Sequence, residues 1–169
     1  VPLVAQTQMI GALWVAKDNP ISGAELRAFA AIGDMAASVL QQATLFEKLQ
    51  QAYDSTLEGW AMALELRDHE TQGHSIRVAE ATVRLAQALG IGGADLLDVR
   101  RGALLHDIGK IAVPDQILLK PGPLDEREQE VMRLHPVYAY EMLSPIKFLQ
   151  KALEIPYNHH ERWDGSGYP

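Results

Sequence analysis

The sequence predicts a mainly α protein: a short β-hairpin, a long connecting helix, then an all-helical bundle. Three observations predict it. Val, Leu, Ile and Trp crowd residues 2–16 on either side of one polar pair. No Pro or Gly interrupts residues 34–58. From Ser22 onward, helix start and stop signals recur without a convincing strand pattern.

The hairpin is assigned to Pro2–Gln6 and Met9–Ala16, with Thr7-Gln8 between them, and Lys17-Asp18-Asn19-Pro20 ends it. Two strands cannot bury both faces of a sheet, so this piece reads as the tail of a larger domain. Its open strand edge offers pairing to another chain. Ser22 followed by Glu25 has capping-box spacing, which starts a helix near Gly23. Beyond it, Ile32, Met35, Val39, Gln42, Phe46, Leu49, Tyr53, Thr56, Trp60 and Ala63 follow alternating steps of three and four. Most of these are apolar, as in a heptad seam. Either one helix packs this stripe on its own domain, or two copies form a coiled-coil rod between modules. Some 40 helical residues span roughly 60 Å, too long for one small domain to cover.

Ser75–Leu89 continues the helical pattern, closed by Gly90, Gly92 and Gly93. Asp95–Leu105 is the next helix and runs into His106. Pro114, Pro121, Gly122 and Pro123 mark a long loop. Asp125 and Glu128 cap a helix reaching Leu134, and Pro136 suits the first position of another. Pro145 and Pro156 punctuate the remainder.

The 169 residues are 47% hydrophobic and 22% charged, which suits a globular chain and excludes wholesale disorder. The formal charge of −7 argues against binding a nucleic-acid polymer, which needs many Lys and Arg. It leaves room for an anionic substrate held through metal ions. With no Cys, disulfides, zinc–thiolate sites, iron–sulfur clusters and thiol nucleophiles are excluded. The first 16 residues are uncharged but broken by Pro2, Gln6, Thr7 and Gln8, so they suggest neither a signal peptide nor a membrane segment. The simplest compartment is the cytoplasm.

All six histidines fall between His69 and His160. Glu70 and His74, four apart, would share one face of a helix. His106 and Asp107 follow an apolar run, with Lys110 one turn later. His135 precedes Pro136, and His159 and His160 are adjacent. A helical bundle can point such side chains inward to hold metal. Any one of them alone is more often a hydrogen-bonded core residue, and adjacent His159 and His160 are more telling; the ordered set carries the reading.

The segments HETQGHSIRVAE, LLHDIGKIAVPDQILLKPGPLDEREQEVMRLHP and YNHHERWDGSGYP resemble the HD-GYP family of metal-dependent phosphodiesterases, a subgroup of the HD phosphohydrolases. The resemblance covers residues 55–169. Residues 1–45 resemble the last strands and terminal helix of a GAF sensor domain. The implied organisation is a GAF-like fragment over 1–45, a helical connector over 46–66, and an HD-type helical domain over 67–169. That domain would continue past Pro169 in the family, supplying another Asp ligand and basic substrate contacts. The implied metal ligands are His74, His106, Asp107, His135, His159 and His160, with Asp107 bridging. Glu70 matches an acidic ligand of members resembling trinuclear enzymes; otherwise it is a solvated carboxylate. Lys110 matches the lysine that contacts substrate phosphate. Asp164, Gly165, Gly167, Tyr168 and Pro169 belong to the signature loop, and His69 matches no ligand.

Imidazoles with carboxylates and no thiolate suit two or three divalent ions, Fe or Mn best among them. Such a pair acidifies water into a nucleophile and clamps a phosphodiester. The resemblance therefore implies a cytoplasmic cyclic di-GMP phosphodiesterase, homodimeric through its long helix and open to partner signalling proteins. Hydrolysis of another cyclic dinucleotide or nucleotide is a second reading. A catalytically weak dimeric relay is a third.

Overall fold

The computed structural model describes residues 1–169, which form two compact units, 1–53 and 54–169. In the first, β1 (Pro2–Ala5) and β2 (Gln8–Ala12) form an antiparallel hairpin. Its register pairs Leu3 with Gly11 and Ala5 with Gln8, with one irregularity between Leu3 and Val4. The turn falls at Gln6-Thr7, where Gln6 takes a positive φ of 54°, so Gln8 belongs to the second strand. The predicted extension of that strand to Ala16 is not found. One more pair joins Leu13 to Val1 (N···O 2.7 Å), and Trp14–Ala16 have no strand opposite them to pair with.

Helix α1 (Gly23–Asp68) opens on the expected capping box. The Glu25 carboxylate accepts the Ser22 backbone N–H at 2.8 Å, and the Ser22 hydroxyl accepts the Glu25 N–H at 3.3 Å. Leu3 and Ala5 are buried from the hairpin, and Gly33 and Ala37 from the helix. A Cβ at Gly33 would meet the Val1 side chain at 3.0 Å, so this glycine lets the hairpin lie close. The predicted seam falls elsewhere on the helix. Met35, Val39 and Phe46 are 71%, 64% and 61% exposed.

The second unit is helical throughout. It contains the end of α1, then α2 (His74–Ala88), α3 (Ala94–Leu104), α4 (Asp115–Leu118), α5 (Glu126–Met132), α6 (His135–Leu143) and α7 (Glu154–Asn158). Two 3-10 segments, Ile108–Ala112 and Lys147–Ala152, join them. The core gathers Leu57 and Ala61 of α1 with Leu104, Leu105, Ile108, Leu143, Leu149 and Leu153, and Trp60 packs against it. The seam thus does not continue unchanged to Ala63, which is exposed; the core face of α1 here is Leu57, Ala61 and Leu64. The long loop expected after Pro114 contains α4, because Pro114 fixes an extended entry and its carbonyl accepts the Ile117 and Leu118 N–H groups. The Asp125–Glu128 capping box forms as expected, at 2.8 and 2.9 Å. No helix is long and apolar enough to cross a membrane.

Ion pairs fix the last turns of α1 against this unit. Buried Arg101 donates to Asp54 at 2.8 Å and lies over the Phe148 ring at 5.4 Å. The buried Glu65 carboxylate accepts the N–H groups of Gly73 and Ser75 at 2.7 and 2.8 Å, satisfying donors at the start of α2. Arg67 donates to the carbonyls of Ile111 and Val113 and to Asp115.

Candidate metal centre

Four of the candidate histidines sit where helices begin or end. His74 and His135 open α2 and α6, His106 follows α3, and His159 follows α7. Three of them are oriented alike. His106, His135 and His159 each place Nδ1 against the carbonyl three residues earlier, at 2.9, 2.7 and 3.0 Å. A carbonyl only accepts, so each Nδ1 carries a proton and Nε2 is the ring nitrogen turned inward.

Those Nε2 atoms meet on Asp107. Its Oδ2 is 3.0 Å from His106 Nε2, and its Oδ1 is 3.3 Å from His135 Nε2 and 3.5 Å from His159 Nε2. The Nε2 atoms of His135 and His159 stand only 3.2 Å apart. Donor atoms of Asp107, His135, His159 and His160 form one group, and those of His74, His106 and Asp107 another, each within 4.8 Å. Asp107 is common to both. A ring of acceptors with its protons turned outward repels itself unless a cation or added protons fill it, and imidazole with carboxylate is a fitting donor set for divalent metals.

Burial opposes ionising Asp107, yet the facing imidazoles of His106, His135 and His159 hold its carboxyl far below the usual range. Burial likewise opposes charge on His106, but the Asp107 hydrogen bond and charge raise its pKa. Burial and the neighbouring His159 and His135 push His160 down to about 4, leaving it neutral at pH 7. Lys110 Nζ lies 2.9 Å from Asp107 Oδ2 and 3.7 Å from Asp68 Oδ2. Burial works against its charge, but Asp107, then Asp68 and Glu70, raise its pKa and keep it protonated.

Glu70 departs from expectation. It does not share a helix with His74, because α1 ends at Asp68, His69 takes a φ of 58° and Gly73 one of 74°. Its carboxylate nevertheless approaches His74 Nδ1 to 4.0 Å and belongs to neither group of donors. His69 is exposed and also outside both. In the signature loop, Gly165 has φ 72°, and the Asp164 carboxylate accepts from the Ser166 N–H and hydroxyl at 3.0 and 2.6 Å. Gly167 is pressed so tightly that a Cβ would lie 2.5 Å from the His160 carbonyl oxygen. Tyr168 consequently stacks on the His160 ring, with centroids 4.6 Å apart and planes 14° apart. Pro169 is exposed.

Three residues that sequence reasoning did not single out also shape the centre. Gly109 lets the first 3-10 segment touch α6: a Cβ there would fall 1.8 Å from the His135 carbonyl oxygen. Asp68, with a side chain only 5% exposed, faces Lys110. Glu65 caps the helix that His74 begins. The two acids are separated from their partners by long stretches of chain or a turn. Only Gly109 stood inside a quoted motif.

Residues 59–169 match the HD domain family. The chain belongs to the HD domain family. It is 43% identical over 128 residues to a cyclic di-GMP phosphodiesterase of Thermotoga maritima, covering 73% of this chain and 34% of that protein. It is 38% identical over 165 residues to the cyclic di-GMP phosphodiesterase response regulator RpfG of Xanthomonas campestris, covering 89% and 44%. A 3′3′-cGAMP-specific phosphodiesterase 2 of Vibrio cholerae is 41% identical over 127 residues, covering 74% and 24%. The chain thus spans less than half the length of each of these relatives.

Proposed function

We propose that this chain belongs to an HD-GYP-type phosphodiesterase that hydrolyses cyclic di-GMP. The observation that carries the reading is the convergence of three inward Nε2 atoms on the two oxygens of Asp107. Asp107 with His135, His159 and His160 would hold one divalent ion, and Asp107 with His74 and His106 a second. Glu70 lies near enough to His74 to join a third site. Fe or Mn suits this donor set. When bound, the ions supply Lewis acidity and an acidified water for attack on phosphorus.

The chain's own side chains divide the remaining work. The Nδ1–H···O=C bonds hold three imidazoles in the tautomer that presents Nε2. Asp107 stays ionised and spans both groups. Lys110 keeps a proton on Nζ beside the reacting centre, where it neutralises a phosphate oxygen or protonates the departing ribose oxygen as the P–O bond breaks.

Around this centre we read residues 1–45 as a GAF-like sensor fragment, 46–66 as connector, and 67–169 as the HD-type domain. The exposed stripe of α1 is read as a homodimer contact, open to partner signalling proteins, in a cytoplasmic protein. A second substrate has a specific support, since one relative is named for 3′3′-cGAMP. Turnover of both cyclic dinucleotides by the Mn-loaded protein tests the reading. Cyclic di-GMP should be cleaved, and Asp107→Ala should abolish metal retention and cleavage together. Cleavage surviving that substitution contradicts the assignment.

A further inference from the structure

Beside the donor cluster lies a cavity of about 420 Å³, lined by Arg133, His159, His160, Arg162 and Tyr168 among others. Its cations differ in commitment. Arg162 Nε is 3.6 Å from Asp164. Arg133 faces no carboxylate; its guanidinium carbon lies 5.5 Å from the centroid of the Tyr168 ring. The acid in the lining, Glu161, turns its carboxylate to the Arg162 backbone N–H at 2.9 Å. An uncommitted guanidinium, steadied on an aromatic ring that itself stacks on His160, is therefore presented to the cavity.

Resting on the phosphodiesterase reading, we propose that Arg133 holds the second, uncleaved phosphate of the cyclic dinucleotide while the first is cleaved over Asp107. A cyclic dinucleotide carries two phosphodiesters in one ring, so presenting one to the cluster leaves the other anionic group to be neutralised alongside. A planar five-donor guanidinium matches phosphate oxygens bidentately. Tyr168 is a positioning residue in this arrangement, fixing both Arg133 and the ring of His160.

The test compares Arg133→Ala and Arg133→Lys with the parent, all Mn-loaded. Substrates are cyclic di-GMP and bis(p-nitrophenyl) phosphate, which has one phosphodiester and no second. Calorimetric binding of cyclic di-GMP and metal content are measured alongside. Arg133→Ala should raise KM and Kd for cyclic di-GMP by about tenfold or more. Arg133→Lys should recover part of this, since it keeps the charge and loses the fork. The one-phosphodiester substrate should suffer a much smaller change, and metal content should stay level. Equal losses on both substrates, loss of metal, or an unmoved KM and Kd would each overturn the assignment. A parent that cleaves the simple diester but neither binds nor cleaves cyclic di-GMP would instead refute the substrate reading, and this assignment with it.

Discussion

At the scale of residues, the centre depends on where protons are held. The carbonyls facing Nδ1 are as necessary as the Nε2 atoms themselves, because they decide which nitrogen is free. Glu65 does comparable work at the start of α2. Its carboxylate is buried, and although burial opposes ionisation, the Ser75 and Gly73 N–H groups lower its pKa below the ordinary 4.5. A folded value below the unfolded one contributes stability that is present above the carboxylate range and lost as pH falls through the folded value. Glu65→Ala should therefore cost roughly 2–4 kcal/mol at neutral pH in denaturant unfolding, through two orphaned donors beside His74. Glu65→Gln should be milder, and its deficit should shrink as pH falls below the ordinary carboxylate value and through the lowered folded one. A deficit independent of pH would deny the carboxylate this role.

At the scale of elements, local signals were legible and tertiary ones were not. Ser22/Glu25 and Asp125/Glu128 announced helix starts because a capping box is complete within four residues. The sequence marked the candidate ligands only as an ordered set, since each alone is more often a hydrogen-bonded core residue. Their geometry was not legible, and the shared-helix placement of Glu70 failed because left-handed backbone at His69 and Gly73 ends one helix before the next begins. Asp68 and Arg67 looked like ordinary charges at a helix end; their partners are more than forty residues away. Gly109 shows the same limit, for its neighbour is the backbone of α6. Gly109→Ala should drive α6 away from the first 3-10 segment, costing about 1–3 kcal/mol or more and moving His135 off Asp107. Calorimetric metal titration of that variant should show weakened binding; parent-like affinity would mean the close approach is unimportant.

At the scale of the whole molecule, α1 presents two kinds of apolar surface, one of them spent on packing and the other bare. Leu57, Ala61 and Leu64 are buried, whereas Met35, Val39 and Phe46 are largely exposed along the heptad seam. Covering that stripe with a second copy is the dimer reading. Val39→Asp with Phe46→Asp should shift sedimentation from dimer to monomer, since two carboxylates at seam positions cannot be buried unpaired. A parent that sediments as a monomer would refute it. The deeper claim is that imidazoles from four helix ends and the oxygens of Asp107 surround shared cations. Anomalous scattering from Mn-loaded crystals tests it most directly. The account predicts a peak between Asp107, His135, His159 and His160, and a second beside His74 and His106. Bound Mn with no peak in contact with Asp107 would contradict it.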